Sequence, residues 1–211
     1  MFVVTLPTDL QSVEKSKLIL DLDQLRPDQW RATTLCTSWD VEEVVAHLGA
    51  AATTSMTGWI VNMVRSRFDT DAHNRRLLER FRGADPADTL ARFKRVGPIG
   101  LPTKASPAGL AELIVHAEDI RRPLGLSRPP EPEAVLVVAR FFAARDFAVN
   151  SRTLIDGLAL GATDADFATG AGPGVTGPLL SLVMAMAGRG QVCDDLSGDG
   201  VPHLRARITS G

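Results

Sequence analysis

Between Leu126 and Glu133 the chain reads LSRPPEPE. A proline fixes its own φ, lacks an amide proton and pushes the residue before it out of helical conformation. No helix and no central strand runs through three prolines spaced this closely. The stretch is therefore the natural boundary of the chain. It divides the sequence into expected domains at residues 1–127 and 132–211, and 211 residues are enough for each to bury a core without a staple.

Upstream of the boundary, helix signals follow one another. Residues 8–25 set Leu10, Val13, Leu18 and Leu22 along one face, with the Lys17 stem beside them and Leu25 at the end. Asp40 is a good N-cap, Glu43 completes a capping box, and Trp39 stands where it can staple onto Val44. From Val41 the pattern predicts one long helix running past Met56 towards Arg67. Its buried stripe is Val41, Val44, Val45, Leu48, Ala52 and Met56, with His47 on the margin. Residues 71–82 predict a polar, Arg-rich, solvated helix. Asp85-Pro86 and Ser106-Pro107 each give a cap followed by Pro, opening helices at 87–96 and from Ala108. The first part is thus expected to be an antiparallel bundle of four main helices.

Downstream, residues 134–149 predict one more helix. RTLIDGLALGAT and ADFATG read as strands, GAGPGVTGP as a loop and 179–187 as a short apolar helix. The last segment, LSGDGVPHLRARI, reads as a turn followed by a helix or a strand. This is a small α+β domain, and the fold class of the whole is α+β.

Composition removes several functions. The formal net charge is −2 with no basic tract, which argues against a nucleic-acid or anionic-membrane surface. Tyr is absent and aromatic residues are only 5%, so base-stacking platforms are not expected. The most apolar run, PLLSLVMAMAG, is too short to cross a bilayer, and the start MFVVTLPTDLQSVEKSK lacks the pattern of a signal peptide. Cys36 and Cys193 stand far apart, outside any CxxC, and neither neighbours a His or a basic cluster in sequence. They read as reduced thiols rather than nucleophiles. A soluble, cytoplasmic protein is expected.

Within the helix from Ala108, the residues Leu110, Leu113, Ile114, Ala117 and Ile120 form the apolar face. Glu112, His116 and Asp119 form an adjacent stripe. Glu112 and His116, four residues apart, lie one turn apart on one face. With His47 from another helix they make a two-His, one-Glu set, a zinc or ferrous type of site that leaves a coordination position open. Asp119 either orients His116 from behind or pairs with Arg122 at the surface. The spacing alone equally suits a hydrogen-bonded core histidine with no metal. His73, His203, Arg121 and Arg122 are expected in polar, solvated surroundings.

These stretches resemble a known family. TLCTSWDVEEVVAHL looks like the start of the second helix of mycothiol-dependent maleylpyruvate isomerases and their DinB-like relatives, and AELIVHAEDIRRPLG looks like their fourth helix. LIDGLALGATDADFATGAGPGVTGPLLSLVMAMAGR, followed by LSGDG, resembles their C-terminal domain, which is similar to sterol-carrier folds. The resemblance implies a DinB-like metal-binding bundle with His47, Glu112 and His116 holding a divalent metal, Zn2+, and mycothiol as the thiol cofactor. A metal-bound thiol is deprotonated, whereas a free thiol is mostly protonated at neutral pH. The implied activity is cis–trans isomerisation or S-transfer onto a small electrophile. A non-catalytic ligand-binding module and a metal-dependent hydrolase are the alternatives. Arg189, in the AGRG turn, is the candidate for holding a carboxylate with its fork, or else a cation ending a helix.

Overall fold

The computed structural model describes residues 6–36, 39–66, 69–100, 103 and 106–210. The backbone divides into two compact units, Met1–Pro129 and Pro130–Gly211. Among the described residues, no helix is long and apolar enough to cross a membrane.

The first unit is helical. Its elements are α1 (Pro7–Leu22), a 3-10 turn (Gln29–Arg31), α2 (Val41–Thr53), α3 (Met56–Arg65), α4 (Thr70–Phe81), α5 (Pro86–Arg95) and α6 (Ala108–Leu124). Helix α2 lies at its centre and packs against α4, α5 and α6. Val41, Val44, Val45 and Leu48 of α2 meet Leu18 and Leu22 of α1, Leu90 and Phe93 of α5, and Leu113, Ala117 and Ile120 of α6 in one apolar core. The expected capping box is present. Asp40 Oδ1 accepts from Glu43 N at 2.9 Å, and Asp40 N donates to Glu43 Oε2 at 3.0 Å.

The long helix expected from Val41 is instead two helices, and the expected end at Arg67 lies outside the described residues. Three consecutive hydroxyl residues make the break. Thr53 Oγ1 donates to Gly49 O and Thr54 Oγ1 to Ala50 O, both back along α2, whereas Ser55 Oγ accepts from Gly58 N and caps α3. Side chains that bond the nearby backbone compete with helix continuation, so the apolar pattern alone overran this point.

The buried face of α1 is also rotated from the expected one. Val13 is exposed, while Gln11, Glu14 and Asp21 are buried. Gln11 is satisfied by both backbone groups of Ile99, donating to its carbonyl and accepting from its amide. Asp21 accepts from Arg121 Nε at 2.8 Å and from Arg128 Nε at 2.7 Å. Arg121, expected at a solvated helix end, is only 1% exposed and also donates to Glu118. An ion network that no local pattern announces thus joins α1 to α6.

The second unit comprises α7 (Pro132–Ala144), α8 (Ser151–Leu154), β1 (Ala159–Ala162), β2 (Ala168–Gly170), β3 (Gly174–Gly177), α9 (Leu179–Met186), a 3-10 segment (Gly190–Asp195) and α10 (Val201–Ser210). The sheet order is β2-β1-β3, with β1 antiparallel to β2 and parallel to β3. Leu160, Val175, Leu182, Val183 and Met186 are buried in it. The α+β class is as expected, with three differences. RTLIDGLALGAT opens as a turn of helix before its strand, the helix expected to Val149 ends at Ala144, and GAGPGVTGP holds strand β3 rather than a loop alone. In β3 only Val175 supplies an apolar side chain, so alternation had nothing to report. The last segment is a helix.

Arg121→Met tests the buried network. It leaves Asp21 and Glu118 buried without their shared guanidinium, and loss of one partner from such a network costs about 3–5 kcal/mol. Urea unfolding of the variant beside the wild type reads this directly, and an unchanged midpoint contradicts it.

Candidate metal centre

Each expected ligand is placed by an element whose local sequence explains it. His47 sits on α2, seven residues after the Asp40 cap, at the margin of the core stripe. Glu112 and His116 sit one turn apart on α6. The structure brings the three together: one donor atom from each lies within 4.8 Å of the others. His47 Nε2 stands 3.5 Å, and His116 Nε2 3.3 Å, from the same carboxylate oxygen, Glu112 Oε2. Zinc holds N and O donors at about 2.0–2.2 Å, so tetrahedral neighbours stand roughly 3.3–3.5 Å apart. The spacing of these donor atoms fits a divalent ion of that kind. The side chains of His47 and His116 are 12% and 9% exposed and that of Glu112 is 29% exposed, so the set opens to solvent on the Glu112 side.

Asp119 sits directly behind this set. Its Oδ2 lies 2.9 Å from His116 Nδ1, and the residue is fully buried. A carboxylate only accepts, so the ring donates from Nδ1 and presents Nε2 towards Glu112. Burial pushes the His116 imidazolium down, but the carboxylates of Asp119 and Glu112 outweigh it and raise the group from 6.5 to about 8. Burial pushes the Glu112 carboxyl up, yet the two facing imidazoles pull it further down, well below the usual carboxylate range.

Pro123 explains a contact beside the site. It lies in the last turn of α6, which closes at Gly125 with φ 65°. Proline has no amide proton to give the carbonyl four residues back, which is that of Asp119. Leu35 N takes the vacated place at 3.0 Å. The segment that holds Leu35, Cys36 and Trp39 is thereby tied to α6. Within it Trp39 N donates to Cys36 O at 2.9 Å, and Thr34 Oγ1 donates to Trp39 O. Trp39 ends with its ring 4.7 Å from that of His47 and 6.0 Å from that of His116. Its stacking on a histidine was not readable from its place before the cap.

Other site readings change. His73 is buried, 2% exposed, rather than solvated, and Asn62 Nδ2 lies 3.0 Å from its Nδ1. Burial pushes its imidazolium down, and the neighbouring charge of His47 adds to that. His203 is exposed as expected. Cys36 is no neighbour of a histidine in sequence, but the fold sets its sulfur within 4.8 Å of donor atoms of His116 and Asp119. Cys193 is buried, and burial raises its thiol. Arg189 belongs to the second unit. It is half-buried, precedes the 3-10 segment and donates from Nη1 to Ala187 O at 2.7 Å.

Residues 14–64 match the family model of the mycothiol maleylpyruvate isomerase N-terminal domain. That span includes His47 and ends before Glu112 and His116. The crystal structure of a mycothiol-dependent maleylpyruvate isomerase aligns with a TM-score of 0.52 at 16% identity. That of a histidine-to-alanine mutant aligns with 0.56 at 14%. Each alignment covers 92% of this chain and 91% of the other. The chain resembles the mycothiol-dependent maleylpyruvate isomerase family. At these identities the likeness to the solved isomerases is one of fold. No curated protein matches the chain.

Two outcomes follow from the geometry. In the metal-free protein, His116 is held above its unfolded value, so its stabilisation is full below pH 6.5 and is lost as pH rises through about 8. The loss is of order 2 kcal/mol, and Asp119→Asn should flatten it; chemical denaturation across that range measures both. Pro123→Ala restores an amide that competes for the Asp119 carbonyl. Hydrogen exchange at the Leu35 amide should then speed up, and unchanged protection would show that the proline does not create this tie.

Proposed function

We propose that this chain is a metal-dependent enzyme that uses a low-molecular-weight thiol, mycothiol, as its cofactor and acts on a small electrophile. The observation that carries the reading is the convergence of two imidazole nitrogens on one carboxylate oxygen, at 3.3 and 3.5 Å, in a fold like that of the mycothiol-dependent isomerases. His47, Glu112 and His116 would hold a divalent ion, Zn2+ by donor type, and three protein ligands leave room for a further one. When bound, such an ion supplies the positive charge beside which a thiol loses its proton near neutral pH.

The chain's own residues have separate tasks. Asp119 fixes the tautomer of His116 and keeps its Nε2 turned to the centre. Trp39 covers one side of both imidazoles with an apolar ring, which excludes water from that side. Glu112, the most exposed ligand, marks the side from which a thiol and an electrophile enter. In the second unit Arg189 supplies the carboxylate-holding fork; its anchoring on Ala187 O supports a fixed orientation. A thiolate that adds to an activated double bond and leaves again isomerises it, whereas one that displaces a leaving group stays attached. The donor set serves both reactions.

The test is a turnover screen of zinc-loaded protein with mycothiol against small electrophiles, maleylpyruvate included. Thiol-dependent turnover is expected, and none with any electrophile would overturn the reading. His47→Ala, Glu112→Ala and His116→Ala should each lower zinc content and turnover together while far-ultraviolet circular dichroism stays helical. Arg189→Ala should lower turnover at unchanged zinc content, with Arg189→Lys restoring little, because a point charge lacks the planar fork.

A further inference from the structure

His116 also faces a second set of donors that the centre above does not use. Its Nε2 meets Glu112 Oε2 at 3.3 Å, and its Nδ1 meets Asp119 Oδ2 at 2.9 Å. On the Asp119 side stands Cys36. One ligand atom from each of Cys36, His116 and Asp119 lies within 4.8 Å of the other two. Sulfur, imidazole nitrogen and carboxylate oxygen are all zinc donors, and a thiolate adds a preference for soft ions that an N, O, N set lacks.

The cluster is built into the fold. Leu35 N is bonded to Asp119 O, directly beside Cys36 in the chain. The Cys36 carbonyl is held by Trp39 N and by Thr34 Oγ1. Asp119 is fully buried, and Cys36 is half-buried.

We propose that Cys36, His116 and Asp119 form a second cation subsite for a thiophilic divalent ion, sharing the His116 ring with the centre proposed above. Binding there releases the thiol proton and the proton that His116 gives to Asp119, both to solvent. With both sets filled, the ring joins two ions through its two nitrogens. The subsite shares only His116 with the first centre and has Cys36 and Asp119 to itself, so it can be tested separately from the thiol-dependent activity.

Cobalt titration of the metal-free full-length protein provides the test. A thiolate-to-cobalt charge-transfer band should grow in the wild type and persist in Cys193→Ser and in His47→Ala. Cys36→Ser should lose the band but still take up cobalt at the His47 centre. No such band in the wild type at saturating cobalt, or a band that survives Cys36→Ser, overturns the subsite. Full cobalt stoichiometry in His47→Ala would count against the first centre while leaving the second in place. The unsubstituted protein offers an independent measurement: cadmium added first should protect Cys36 from alkylation by iodoacetamide, and an unchanged alkylation rate rejects the proposal.

Discussion

One carbonyl without a helical donor organises the neighbourhood of the site. Pro123 cannot supply an amide to Asp119 O, and Leu35 does. A buried carbonyl left unpaired costs roughly 1–3 kcal/mol, so the chain at Leu35 is held to α6 by more than side-chain packing. Asp119 then serves twice. Its carbonyl docks the turn that carries Cys36 and Trp39, and its carboxylate fixes the ring of His116. The placement of Trp39 and the orientation of the His116 ring depend on the same residue.

The other half of the centre depends on how α2 is anchored. Glu42, buried in its first turn, accepts from Arg82 at 2.7 Å and from Thr89 at 2.8 Å, and pairs with Arg31 at 2.6 Å. Burial pushes the Glu42 carboxyl up, but these partners prevail and hold it below its usual range. The capping box closes the same end. A polar clamp at one end and an apolar stripe along the length fix the rotation of α2, and with it the direction of His47.

Much of this was legible because it is local. The Asp40 cap, the i, i+4 spacing of Glu112 and His116, the α6 stripe and the α2 stripe from Val41 to Leu48 are all properties of short windows, and the structure places them as read. What escaped depends on distance in the chain or on weak patterning. Arg121 finds Asp21 one hundred residues away. His73 looks solvated on a polar helix but is buried beside Asn62. Strand β3 carries a single buried Val between Gly and Thr, and the end of α2 is set by hydroxyls rather than by a Gly or Pro. Cys36 comes near His116 through a turn bonded to the Asp119 carbonyl, eighty-four residues further along the chain from Leu35.

The interruption at Thr53 to Ser55 has an evolutionary side. In a continuous helix, one inserted residue turns everything beyond it by about 100°, since a turn takes 3.6 residues. Here α2 ends on its own hydroxyls and α3 begins on its own cap. A residue gained or lost at the junction therefore leaves the phase of His47 against α6 unchanged. The register of the facing histidines is therefore set on α2 before Thr53, while α3 answers separately to its own packing, including the Asn62 contact with His73.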